Sequence, residues 1–187
     1  MKILKLKKSY QMFLVSTLTI FGLFGGTVIT PLSVALAAPC TGFACDHLSP
    51  YEGDDCGTVS TKRTTYITIP WGTGTKNVGR VELRYSAECD TAWTRTTIVD
   101  TYAVPMDPYT SVVTVTRKYY AGGGQEYYTS DTRTDYGLTY LDQNWSRMLY
   151  IPYSSSDTFE IKACGYLIRE VNGDRTATFC TSYWTGV

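Results

Sequence analysis

The sequence predicts an all-β, mainly antiparallel domain: a small sandwich or barrel stapled by disulfides behind an irregular N-terminal cysteine loop. Three observations carry this. Beyond residue 60, apolar and polar residues alternate in short runs separated by Gly, Asn, Asp and Ser, and no long stretch keeps a helical period. Tyrosine and threonine, which favour strands, are abundant. Six cysteines, all beyond residue 37, form the even set that braces exported domains.

The first element is a leader. Lys2, Lys5, Lys7 and Lys8 make a basic head, residues 12–37 form an uncharged, mainly apolar run, and Ala35 and Ala37 form an A-x-A exit. That order is a secretory signal peptide over residues 1–37, cleaved between Ala37 and Ala38. A retained anchor is disfavoured because Gly25, Gly26 and Pro31 interrupt the apolar run. A lipid on Cys40 is disfavoured because Pro39 stands where a small residue is expected. The expectation is a secreted chain with no stable membrane insertion after cleavage. Removing four lysines leaves 13 basic against 17 acidic residues, a net charge of −4. A mildly acidic body has no electrostatic claim on nucleic acid. Residues 38–187 suffice for one domain with a hydrophobic core.

Residues 38–60 show no periodicity and read as a cysteine-clamped loop containing a helical turn. "RTTYITIP" sets Thr65, Ile67 and Ile69 against Tyr66 and Thr68, a strand. "WGTGTKNVG" reads as a glycine-rich turn, "RVELRYS" and "AWTRTTIV" as the next two strands, and "TSVVTVTRKYY" as a longer one that "AGGG" turns into "QEYYTS". "RMLYIPY" reads as a further strand bounded by "SSSD". A closing hairpin from about Thr158 to Trp184 turns at Asn172-Gly173, a strong hairpin signal. Cys164 and Cys180 lie almost equally far from that turn and should face each other. The other four cysteines allow three connectivities, of which Cys56–Cys89 with Cys40–Cys45 is preferred. A zinc site from Cys40, Cys45, His47 and Cys56 is the rival reading. Its spacing is not that of a zinc knuckle, and export oxidises thiols; no metal and no cofactor is expected.

The densest stretch is "VELRYSAECDTAWTR", residues 81–95. On one strand Glu82, Arg84 and Ser86 share a face; on the next, Trp93 and Arg95 do. A symmetric turn over Ala87–Asp90 sets Glu82 opposite Arg95 and Arg84 opposite Trp93, an ion pair beside a cation–π contact. Cross-strand pairing alone accounts for these residues. Their functional reading is a binding face for a sugar or an acidic peptide, which makes Glu82, Arg84, Trp93 and Arg95 the candidate site.

Cys40, Cys45 and Cys56, followed by Glu82-Leu83-Arg84-Tyr85-Ser86, Cys89, Trp93 and Arg95, resemble the pattern of a domain-of-unknown-function family. Its members are secreted or membrane-tethered proteins of Gram-positive bacteria. Met148 in "WSRMLY" resembles that family's methionine-bearing strand, and the likeness spans most of residues 40–150. It departs at Ser49-Pro50, where Asp-Pro is common. The resemblance implies an extracellular compartment and an intact domain, and implies no activity.

Catalytic signals are sparse. A glycosidase pair would have to come from Glu82, Glu88, Asp90, Asp100, Asp131, Asp135 and Asp142, and nothing in the sequence selects two of them. His47, beside Asp46, is the only histidine. The "GGG" run lacks the lysine of a phosphate loop, and "DTRTD" lacks the full calcium-loop pattern. The expected function is a non-enzymatic extracellular interaction module, with a cell-wall polymer or another secreted protein as partner. A carboxylate-dependent hydrolase of cell-wall glycan is the alternative.

Overall fold

In a computed structural model the chain divides into two compact units, residues 1–36 and 37–187. The residues described are 40, 42–50, 56–121, 124–151 and 159–185, all in the second unit. The expected signal segment and the "SSSD" turn lie outside them. No helix among the described residues is long and apolar enough to cross a membrane.

The second unit is an antiparallel β-sandwich, not a closed barrel. After one 3-10 turn at Gly42–Cys45 come β1 (Val59–Trp71), β2 (Gly74–Ser86), β3 (Thr91–Ile98), β4 (Tyr109–Ala121), β5 (Gln125–Leu138), β6 (Gln143–Trp145), β7 (Leu149–Tyr150), β8 (Phe159–Arg169) and β9 (Phe179–Cys180). One sheet runs β1-β2-β3-β6, with β7 also pairing β3; the other runs β5-β4-β8-β9.

Alternation builds the core. Val81, Leu83 and Tyr85 of β2, Ala92 and Ile98 of β3, Val115 of β4, and Ile161, Ala163 and Leu167 of β8 fill the space between the sheets. The sheets approach closely at Gly165, where an added Cβ would lie 3.0 Å from Thr96 Oγ1 and 3.1 Å from Val81 Cγ2. Asn144 crosses the interior, its amide donating to the Ser111 carbonyl at 2.8 Å.

Three segments differ from expectation. The "WGTGTKNVG" stretch is mostly strand: Trp71 pairs with Gly74, leaving Gly72 and Thr73 as a two-residue turn with Gly72 at φ 59°, a backbone region glycine enters without strain. β5 runs past the expected "QEYYTS" strand, through "DTRTD" to Leu138. Among the described residues, "RMLYIPY" contributes the two-residue β7, as β3 divides its edge between β6 and β7.

The disulfides are Cys40–Cys45, Cys56–Cys89 and Cys164–Cys180. Cys164 and Cys180 face each other in the β8–β9 register, on either side of the Asn172-Gly173 turn. Strand direction sorts the connections. The β1–β2, β3–β4, β5–β6 and β8–β9 links gather at one end, held together by bonds such as Tyr140 N–H to the Ala103 carbonyl. The β2–β3 and β4–β5 links lie at the opposite end, where Cys89 ties the β2–β3 turn to Cys56.

Candidate binding site

Glu82 pairs with Arg95, and Arg84 with Trp93, in the β2–β3 register, all four on the outer face of their sheet. Arg95 Nε donates to Glu82 Oε2 at 2.7 Å, and Arg80 Nε lies 3.5 Å from the same oxygen. Arg84 donates to Thr61 Oγ1. Burial and the neighbouring Arg95 pull the Arg84 guanidinium below its ordinary pKa, with Glu82 opposing them. The expected cation–π partner differs: Arg95 lies 5.3 Å from the Trp145 ring.

Trp93 is only 3% exposed. It packs with Cys45, Cys56, Cys89 and Met148, against Cys40 and Leu48. The cysteine segment folds back over this face and is held by His47 N–H to the Met148 carbonyl and Met148 N–H to the Leu48 carbonyl. The four candidates are therefore brought together, but the tryptophan ring is covered and offers no platform. Six of the seven carboxylates named as hydrolase candidates are engaged locally, Glu88 by the Thr58 amide and Asp135 by the Tyr136 amide. Glu82 takes Arg95, Asp100 takes Lys76, Asp131 takes the His47 ring and the Arg147 amide, and Asp142 takes Thr139.

The loop end gathers a different set. Trp71, at the β1–β2 turn, is 59% exposed and stacks with Tyr102 of the β3–β4 connection, with ring centroids 6.4 Å apart and planes inclined by 16°. Lys76 Nζ lies 4.8 Å from the Trp71 ring centroid and 4.2 Å from that of Tyr102, within cation–π reach of both. The same ammonium meets buried Asp100 at 2.5 Å. Asp100 also accepts from the Tyr102 amide at 3.0 Å and the Tyr109 hydroxyl at 2.8 Å. This buried carboxylate ties the β3–β4 connection to β2 and β4, which fixes where Tyr102 points. Val104 and Met106, at 88% exposure, are further exposed apolar residues of the same β3–β4 connection, and Tyr140 and Leu141 are exposed in the β5–β6 connection.

Beside it lies a cleft of about 380 Å³, with Ile69, Pro70 and Ala177 on its apolar side and Tyr109, Arg169 and Arg175 on its polar side. Arg169 pairs with Asp107, a bond that raises its pKa above the usual value. Arg175 lies 3.8 Å from the Tyr166 ring centroid.

The sequence reading missed this site. One signal was available: Trp71 adjoins Gly72 at a hairpin tip, where no third strand covers a side chain. Tyr102, Val104 and Met106 lie in a Pro-containing connection without period, where apolar residues look incidental.

No protein-family model, curated protein or solved structure matches the chain. Its class rests on fold and site: a disulfide-braced antiparallel β-sandwich carrying an exposed aromatic and apolar cluster on the loops at one end.

Proposed function

We propose that this protein is an exported, non-enzymatic binding module that engages another extracellular protein through its loop end. The observation that carries this reading is the set of exposed residues Trp71, Tyr102, Val104, Met106, Tyr140 and Leu141, contributed by three connections at one end of the sandwich, with the Tyr102 backbone held by Asp100. Contiguous exposed apolar surface marks interaction sites, and aromatic residues and methionine are enriched in protein interfaces. Aliphatic Val104, Met106 and Leu141 favour a protein partner over a glycan, which takes stacked rings and hydrogen-bonding groups. Three disulfides and a leader-like N-terminus support an extracellular setting.

The test is retention of the purified protein on secreted proteins of the source culture and, in parallel, on purified cell wall. Trp71→Ala with Met106→Asp should cut retention on protein at least thirtyfold with circular dichroism unchanged, as for an aromatic anchor worth about 2 kcal/mol. Retention on wall alone makes the partner a polymer. Undiminished retention in the double variant, or glycan cleavage that co-purifies with the protein, overturns the reading.

A further inference from the structure

The four N-terminal cysteines converge more tightly than two separate braces require. The Sγ atoms of Cys40, Cys45, Cys56 and Cys89 all lie within 4.8 Å of one another. They come from two covalent pairs, each with Cα atoms 5.2 Å apart. A tetrahedral zinc site has Zn–S bonds of about 2.3 Å, which sets its sulfurs about 3.8 Å apart. Opening both S–S bonds and drawing the pairs together needs sulfur movements on the order of 1 Å by that geometry. Cys45 and Cys89 are fully buried and Cys56 nearly so, while Cys40 is half-buried and leaves a path for entry.

A second observation points to the same place. Trp93 packs in this cluster, and its buried indole Nε1–H has no hydrogen-bond acceptor among the described residues. A buried donor left unmatched is costly. A disulfide sulfur is a poor acceptor; a metal-bound thiolate is a good one. His47 is engaged elsewhere, its Nδ1 3.2 Å from Asp131 Oδ2, so the fourth ligand of the set is Cys89.

We propose that the reduced chain binds one Zn²⁺ through Cys40, Cys45, Cys56 and Cys89, and that oxidation of these thiols to the two disulfides by two equivalents of a small-molecule disulfide, each of which leaves as two thiols, expels the metal. Each disulfide takes up two electrons and two protons from a dithiol reductant, which leaves as its own disulfide. Zinc then replaces the four thiol protons. Cys164 and Cys180, on β8 and β9, are not members of the set and serve as an internal control.

The test uses the purified full-length protein, reduced without oxygen by a trialkylphosphine and titrated with Co²⁺ and then Zn²⁺. The expected result is one Co²⁺ per chain with the intense visible bands of tetrahedral thiolate ligation, displaced by one Zn²⁺, with four of the six thiols protected from alkylation. Cys164→Ser with Cys180→Ser keeps the bands; Cys56→Ser with Cys89→Ser loses them; Trp93→Phe keeps them at shifted energy. Weak octahedral bands, or bands that survive Cys56→Ser with Cys89→Ser, overturn the proposal. So does equal uptake by the reduced chain in concentrated urea, since that binding needs no folded site. If reduction unfolds the chain, Zn²⁺ should restore its near-ultraviolet circular dichroism, and failure to restore it is equally fatal.

Discussion

Glu82 and Arg95 stand directly opposite each other on β2 and β3, joined at 2.7 Å, and the carboxylate is only 6% exposed. Arg80 and Arg84 flank the same carboxylate on β2, so one acidic group balances a cluster of three guanidiniums. Glu82→Gln should cost about 2 kcal/mol, because it leaves three half-buried guanidiniums without their counter-charge. Arg95→Gln should cost less, since Arg80 still serves the carboxylate. Urea melts of the two single variants and the double variant should give a coupling of about 1 kcal/mol; full additivity would show that the pair is ornamental.

The Asp100 cluster makes stability depend on pH at both extremes. Burial pushes the Asp100 carboxyl up, but bonds from Lys76, the Tyr102 amide and the Tyr109 hydroxyl outweigh it and hold its pKa below the ordinary value. A depressed carboxyl pKa adds stability that is present above the unfolded value, about 4, and is lost as pH falls through the folded value. Burial and the bond to Asp100 raise the Tyr109 pKa. A raised pKa adds stability that is complete below the unfolded value, about 10, and is lost as pH rises toward the folded one. Melting temperature against pH should therefore fall at both ends, with Asp100→Asn flattening the acid limb and Tyr109→Phe the alkaline limb.

The three disulfides should rank by the loops they close. Their sequence separations are 33 for Cys56–Cys89, 16 for Cys164–Cys180 and 5 for Cys40–Cys45. Loop-closure entropy assigns them about 3.7, 3.1 and 2.1 kcal/mol respectively. Replacing each pair by alanine and measuring unfolding free energy should reproduce that order; a larger loss for Cys40–Cys45 would mean that covering Trp93 matters more than loop length.

Gly165 is where the inner faces leave no room for a methyl group. Gly165→Ala drives a Cβ to 3.0 Å from Thr96 Oγ1 and 3.4 Å from the Val112 carbonyl oxygen, and should cost about 1–3 kcal/mol as overpacking. Gly74→Ala, with nothing within 4 Å of the added atom, should leave the melting temperature within a degree or two of the parent. Equal effects at the two positions would mean that the sheets separate freely.

Local symmetry explains what the sequence made legible. The β2–β3 register follows from a short turn centred between Ala87 and Asp90, and the Cys164–Cys180 pairing from a turn centred near Asn172-Gly173; both are nearest-neighbour relationships. The burial of Trp93 is not of this kind. Its cover comes from residues some forty positions upstream, and the cysteine segment carries no period to say which face it will settle on. The length of β5 was hidden for another reason. Along Gln125–Gly137 the side chains on both faces are exposed or half-exposed, so the alternation that betrays a half-buried strand is absent. Asp100 looked like one carboxylate among several, because its three partners come from β2, β4 and its own turn.

The crosslinks near residues 56 and 89 and the apolar crown around Trp71 and Met106 sit at opposite ends of the sandwich. The covalent bracing and the exposed apolar residues thus lie in different stretches of chain. The turns at the crown can lengthen, shorten or change chemistry with little effect on the covalent bracing. Such a frame tolerates change: connections can be swapped while the strands beneath stay as they are.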